Sequence, residues 1–117
     1  MVRRDTGQKT PVIEAEIAAT VEKLLMEIQD NMYAKAKAIL QDKTTSVQNY
    51  EEFKKVLEEK GGFIKAAWCD SPDCEAKIKD ETGATIRVRP FQKEETTANC
   101  VYCGQKAKET VYFARSY

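Results

Sequence analysis

Two short stretches, WCDSPDC at residues 68–74 and CVYCG at residues 100–104, decide the fold of this chain. They contain all four of its cysteines, and the sequence has no histidine. Two close pairs that are well separated in sequence are typical of one tetrahedral zinc ion, to which each pair contributes two thiolates. Because four cysteines leave no open coordination position for a substrate, we expect a structural zinc ion and not a catalytic one.

The four expected ligands are Cys69, Cys74, Cys100 and Cys103. The second pair forms a Cys-x-x-Cys-Gly knuckle, in which Gly104 permits the positive φ that turns backbone amides toward the sulfurs. The first pair is looser, with four residues between its cysteines. Within it, Ser71 and Pro72 have the pattern of a helix N-cap followed by the first helical residue. The next cysteine would then lie in the first turn of a helix, where the dipole favours a thiolate.

Two other uses of four cysteines remain open on the residues alone. A pair of disulfides could form in any of three connectivities, although clustered cysteines and the lack of a signal peptide favour a metal site. A [2Fe–2S] or rubredoxin-type iron site also takes four cysteines, but no feature of the sequence indicates electron transfer.

The composition narrows the classes of partner. Nineteen basic and nineteen acidic side chains cancel, so the global charge gives no reason to expect a DNA partner. The hydrophobic fraction of 42% is ordinary for a soluble protein, and no apolar run is long enough to span a bilayer. With no targeting segment at the start, we expect a cytoplasmic protein without a membrane partner.

The N-terminal third is predicted to be a connector. Residues 1–12 are polar and turn-like, and we expect them to end a preceding domain. Thr10 as a cap and Pro11 in the first turn predict a helix that continues to Leu40, with apolar residues at spacings of three and four. At about 28 residues and roughly 42 Å it is too long for a small domain to cover. We therefore assign residues 13–48 to a connector helix and linker, with 41–48 as a break; a coiled-coil dimer is the alternative.

Residues 49–117 are predicted to form the zinc-binding domain. It should begin with a helix capped by Asn49 and ended by Gly61-Gly62, followed by a strand Phe63–Trp68. A second helix should run from Pro72 to about Glu81 and lead into a strand Ala84–Val88. A polar loop over 92–99 and a strand from about Thr110 to Ala114 should complete the domain. The order predicts a two-layer α+β fold, with a small mixed three- to four-stranded sheet covered by helices. If the first two strands are neighbours, the helix between them makes them a parallel pair.

Alternation assigns side chains to the two faces of these strands. Ala84, Ile86 and Val88 should point inward, and Arg87 and Arg89 outward on a face that Lys65 could share. The three cations suggest a rival function, a stand-alone zinc-ribbon-like module that binds RNA, although a solvated sheet face explains them more simply. The chain has no histidine base, no phosphate loop and no activated nucleophile, so by itself it does not look like an enzyme.

Several stretches together resemble the C-terminal part of an archaeal/eukaryotic-type prolyl-tRNA synthetase. VRRDTGQKTPV resembles the end of that family's anticodon-binding domain and its exit into a long helix. GGFIKAAWC, the CDSPDC element and DETGATIR resemble the start of its zinc-binding domain. CVYCGQKAKETVYFARSY resembles its terminus, with the knuckle and the closing tyrosine. The similarity covers essentially the whole chain.

The resemblance implies a function for the parent protein that this chain does not perform alone. Such a synthetase activates proline with ATP and transfers it to tRNA, using an upstream catalytic core and an anticodon-binding domain, and it is expected to be a homodimer. The four cysteines match the family's zinc ligands. Tyr117 matches a terminal tyrosine whose carboxylate points toward the active site of the parent. No catalytic residue of the family can be assigned here.

Overall fold

The computed structural model describes residues 1–92 and 96–116. The chain divides into two compact units, Met1–Gln41 and Asp42–Tyr117. Within the described residues, no helix combines the length and apolar character needed to cross a membrane.

The first unit is a short hairpin followed by a long helix. Val2 and Lys9 form an antiparallel bridge, and the Thr10 N–H donates to the Met1 carbonyl at 2.9 Å. A 3₁₀ turn at Glu14–Glu16 then leads into helix α1, Ile17–Asp42. The predicted helix start at Thr10 and Pro11 is therefore wrong, because the backbone N–H of Thr10 is hydrogen-bonded within the hairpin.

Charged contacts attach the hairpin to helix α1. The Asp5 carboxylate accepts from Arg3 Nε at 2.9 Å and from Asn31 Nδ2 at 2.6 Å. Arg3 Nη1 also contacts Glu27 Oε2 at 3.0 Å. These bonds hold the pKa of Asp5 well below its usual range, chiefly through Arg3. No residue of α1 is fully buried, and most of its large apolar side chains are exposed in this unit.

The second unit is an α+β domain with a four-stranded mixed sheet, which confirms the predicted fold class. Its elements are β1 (Thr44–Ser46), α2 (Tyr50–Glu59), β2 (Phe63–Trp68), α3 (Pro72–Thr82), β3 (Ala84–Val88) and β4 (Glu109–Arg115). The strand order is β1-β2-β4-β3. Strands β1 and β2 are parallel, and β4 is antiparallel to both β2 and β3.

Two features of this topology differ from the prediction. Strand β1 lies in the segment 41–48 that was expected to be a break, and it makes β1-α2-β2 the parallel crossover unit. The last strand, β4, inserts between β2 and β3, so these two are not neighbours. Strand order depends on pairing between residues far apart in sequence, which local patterns do not encode.

One face of the sheet packs on α2 and α3. Phe53 from α2, Ile78 from α3, and Ile64, Val111 and Phe113 from the strands are the largest fully buried side chains. The rings of Phe53 and Phe113 meet edge to face, with centroids 5.3 Å apart. Strand β2 alternates strictly between buried and half-buried residues, as predicted. This core fixes the ends of β2 and β4 from which the cysteine loops extend.

Strand β3 breaks the predicted alternation. Its register with β4 shifts between Ile86 and Val88, so that Val88 pairs with Tyr112 instead of continuing the inward row. Val88 is accordingly 48% exposed, and its predicted inward orientation is wrong. A bulge of this kind re-aims the residues that follow it.

The turn from α2 into β2 contains a glycine that no other residue can replace without strain. A Cβ on Gly62 would lie 2.3 Å from the Lys43 carbonyl oxygen, which accepts the Phe63 N–H at 2.8 Å. Gly62→Ala should therefore lower the free energy of unfolding by about 3 kcal/mol, measured from the urea midpoint. Gly61 is the matched control, since it also has positive φ but no atom within 4 Å of its added Cβ. Gly61→Ala should cost only about 1 kcal/mol. Equal costs would refute the close approach.

Candidate metal centre

The fold brings the four cysteine sulfurs into one cluster. Cys69 follows the end of β2, Cys74 lies in the first turn of α3, and Cys100 and Cys103 lie in the loop before β4. All four Sγ atoms lie within 4.8 Å of one another. Cys69 Sγ is 3.5 Å from that of Cys74 and 3.7 Å from that of Cys103. The cluster is therefore positioned to bind a metal ion.

The spacing of the sulfurs fits tetrahedral coordination. Four sulfurs about 2.3 Å from a central ion are about 3.8 Å from one another, close to the separations seen here. A disulfide bond requires about 2.05 Å, and all four cysteines are free. The donor set, four thiols with no histidine or water-bearing position, suits zinc in a closed structural site.

Both cysteine loops contain a turn of the same type, but the sequence analysis predicted this turn only in the second loop. Gly104 follows Cys103 at φ 70°, and the Gln105 N–H donates to the Cys103 sulfur. Asp70 follows Cys69 at φ 65°, and the Ser71 N–H donates to the Cys69 sulfur. A residue with positive φ after the cysteine turns the next amide back onto the sulfur in both cases. Aspartate is one of the few non-glycine residues that visits this conformation, which is the signal that could have been read.

The pKa values of three of the cysteines are shifted in opposite directions by their surroundings. The Gln105 N–H lowers the pKa of Cys103, which lies at about 7. Burial raises the pKa of Cys69, and it raises that of Cys74 to about 12. A divalent cation at the centre of the cluster would reverse this effect of burial, because it stabilises thiolates directly.

A charged network surrounds the first loop. Asp70 contacts Arg89 Nη2 at 3.2 Å and Lys108 Nζ at 3.8 Å. Arg89 also bonds to Glu109, which is only 3% exposed, and its guanidinium lies 5.3 Å from the centre of the Trp68 ring. The network ties the Cys69 turn to the start of β4.

The RNA-binding alternative required Lys65, Arg87 and Arg89 to lie on one face of the sheet, and the structure does not place them together. Arg89 lies against Trp68, whose side chain is on the buried face of β2. Lys65 points to the opposite face of the same strand, and Arg87 bonds to Ser116. The prediction that Arg87 and Arg89 project together is therefore wrong, because the bulge in β3 redirects Arg89.

A carboxylate clamp that the sequence did not reveal holds the second loop. Glu81 near the end of α3 accepts from the Tyr102 hydroxyl and from the Tyr50 hydroxyl, each at 2.7 Å. The two tyrosine rings meet edge to face, 5.0 Å apart. Glu81 therefore joins α2, α3 and the knuckle. The Tyr102 and Tyr50 hydroxyls lower the pKa of Glu81.

The clamp predicts a pH-dependent contribution to stability. A carboxyl group whose pKa is lowered by folding stabilises the folded state above its unfolded pKa, and that contribution is lost as pH falls through the folded pKa. Glu81→Gln should therefore lower the urea midpoint at pH 7, and the difference from the unsubstituted protein should shrink below about pH 4. Unfolding measured at both pH values with a chelator present, so that release of zinc in acid does not contribute to the difference, tests this. A difference that stays constant with pH would contradict the charged clamp.

The remaining predicted site residue cannot be placed. Tyr117 and residues 93–95 of the predicted polar loop lie outside the described residues. The adjoining residues show only that β4 continues to Arg115, whose Nε donates to the Thr82 carbonyl at 2.7 Å.

Comparison with known proteins identifies the family. The family model for the C-terminal region of prolyl-tRNA synthetase matches residues 50–117, which include both cysteine loops. The chain belongs to this family. The match begins at the first residue of α2 and covers every element of the second unit except β1.

Individual relatives match the whole chain, and not only the residues that the family model covers. It is 48% identical over all 117 residues to the proline–tRNA ligase of Oceanobacillus iheyensis, and 46% identical over 115 residues to proline–tRNA ligase 2 of Clostridioides difficile. Proline–tRNA ligase 2 of Bacillus cereus is 42% identical over 117 residues. The chain spans 24 to 25% of the length of these relatives. All three organisms are bacteria, so they lend no support to the archaeal/eukaryotic label.

Proposed function

We propose that this domain binds one structural zinc ion through Cys69, Cys74, Cys100 and Cys103, and that it supports a proline–tRNA ligase. The observation that carries the proposal is the clustering of the four sulfurs, all within 4.8 Å of one another and with contacts of 3.5 and 3.7 Å, within a domain of this family. The bound ion would join β2, α3 and the loop before β4, because each of these segments carries or adjoins at least one of the four cysteines. No cysteine takes part in a reaction in this proposal.

The parent protein would charge tRNA with proline at the expense of ATP. Its catalytic core and anticodon-binding domain would precede this region, and it would act as a cytoplasmic homodimer. Residues 1–12 would end the anticodon-binding domain, 13–48 would connect, and 49–117 would form the zinc domain. The exposed apolar residues of α1, which include Ile17, Leu25 and Met32, support a connector that the rest of the enzyme covers.

Within that enzyme, the C-terminal carboxylate of Tyr117 would reach toward the active site. Support comes from Arg115 and Ser116, which the sheet and Arg87 hold beside the end of β4. A zinc domain of this kind would act as a rigid base for the last residue. Its contribution to the reaction would be positional, through the place it gives to the C-terminal carboxylate.

Deletion of Tyr117 from the full-length enzyme tests the proposed placement. The deletion should lower kcat/KM for aminoacylation by about one to two orders of magnitude, because the carboxylate no longer reaches its position. Tyr117→Ala is the matched variant, since it removes the ring but keeps a carboxylate at the same chain length, and it should lose less. Zinc content and thermal stability should stay unchanged in both variants. Unaltered kinetics after the deletion would contradict this role.

A further inference from the structure

The four proposed cysteine ligands differ in their exposure to solvent. Cys103 lies at the surface, whereas Cys74 is 7% and Cys100 3% exposed and Cys69 is half-buried. A small oxidant that arrives from solvent therefore meets Cys103 first. The other sulfurs lie behind it in a cluster whose members are all within 4.8 Å.

One sulfur contact of Cys103 crosses to the other loop. Its Sγ lies 3.7 Å from Cys69 Sγ, and the two residues are 34 positions apart in sequence. From these facts we infer that Cys103 is a peroxide-oxidation site and that Cys69 is its resolving cysteine. The inference rests on the proposed zinc site, because coordination would hold both sulfurs as thiolates, the nucleophilic form.

The reaction is balanced with hydrogen peroxide as the oxidant. Cys103 Sγ attacks one peroxide oxygen, the O–O bond breaks, and hydroxide leaves, so that Cys103 becomes a sulfenic acid. Cys69 Sγ then attacks Cys103 Sγ, the S–S bond forms, the S–O bond breaks and a second hydroxide leaves. The two sulfurs lose two electrons in total, and the peroxide gains them. Two thiolates remain for the ion, too few for a closed site, so zinc is released.

The partner of Cys103 decides what the oxidised domain looks like. A disulfide between Cys69 and Cys103 joins the two loops, as the ion did, and closes a long chain segment. Disulfides within each pair would instead leave the two loops unconnected. The inferred product therefore keeps the loops together, and a dithiol reductant with zinc can restore the site.

Tryptic mapping of the zinc-loaded chain distinguishes these products. Trypsin places Cys69 and Cys74 in the peptide 66–77 and Cys100 and Cys103 in the peptide 94–106. After one equivalent of hydrogen peroxide, the two peptides should be linked to each other with the loss of two hydrogens, and fragmentation should assign the link to Cys69 and Cys103. A chromogenic chelator should record the loss of one zinc per chain at the same rate. Cys100→Ser should keep the link and Cys103→Ser should lose it.

The outcomes separate this inference from the zinc proposal. If the chain binds zinc but peroxide forms disulfides only within each peptide, or releases no zinc, the assignment of Cys103 and Cys69 is overturned and the zinc site stands. If the purified chain binds no zinc at all, both are overturned. Since the mapping uses the unsubstituted protein, the result holds even where a serine variant fails to fold.

Discussion

Removal of the proposed zinc ion with a chelator should strongly destabilise the unit from Asp42 onward. A ligand that binds only the folded state adds about 4 kcal/mol when its free concentration is one thousand times the dissociation constant. Trp68 is the only tryptophan and adjoins Cys69, so its fluorescence reports unfolding at the site. Urea titrations with zinc and with chelator should show a large fall in the midpoint.

Substitution gives the same result without a chelator. Cys100→Ser removes a buried ligand and should lower the unfolding free energy by several kcal/mol, with loss of bound zinc. Ser71→Ala is the control within the first loop, because the Ser71 side chain makes no capping hydrogen bond. It should change stability by less than about 0.5 kcal/mol. Equal midpoints with and without chelator would mean that the core alone holds the fold.

The second large effect is expected at Arg89. Its removal leaves Glu109, which is 3% exposed, without its cationic partner. Arg89→Ala should lower the urea midpoint, but by less than loss of one partner of a fully buried pair would, because the Arg89 side chain is 50% exposed and solvent screens the charge. Urea unfolding followed at Trp68 measures the loss.

A double variant identifies the cause of that loss. Glu109→Gln removes the uncompensated charge, so the combination with Arg89→Ala should regain much of the stability that Arg89→Ala loses. Arg87→Ala is the matched arginine control, since Arg87 is exposed and bonds to Ser116 just after β4, and it should change stability by less than about 0.5 kcal/mol. No recovery in the double variant would assign the loss to the packing of Arg89 on Trp68.

Much of the fold could be predicted from interactions between residues that are close in sequence. The predicted cap at Asn49 is confirmed, since its side chain accepts the Glu52 N–H at 2.9 Å. Gly83 ends α3 at φ 73°, as the sequence indicated. Strand β2 has its predicted bounds, and β4 extends the predicted strand by one residue at each end. Each of these features depends on residues within a few positions of one another.

The features that sequence could not supply depend on distant partners. Strand β1 contains only Thr44, Thr45 and Ser46, and it is a strand because β2 supplies its hydrogen-bonding partner. The position of β4 between β2 and β3 follows from pairing across more than twenty residues. The redirected Arg89 follows from a bulge that alternation cannot anticipate.

The candidate site shows the same division. The residue types and spacing predicted which four cysteines would cluster, and the structure brings them together. The Asp70 turn was missed although aspartate tolerates positive φ, and the Glu81 clamp was missed because a surface glutamate looks ordinary in a sequence. Both orient a cysteine loop, and the partners of Glu81 become apparent only when α2, α3 and the knuckle are adjacent.

The metal and thiol content of the purified protein tests the central claim most directly. Native mass spectrometry should find one zinc ion per chain, and denaturation in chelator should then release that ion together with four titratable thiols. A metal-free chain, or one whose thiols are already joined in disulfides, would contradict the zinc site.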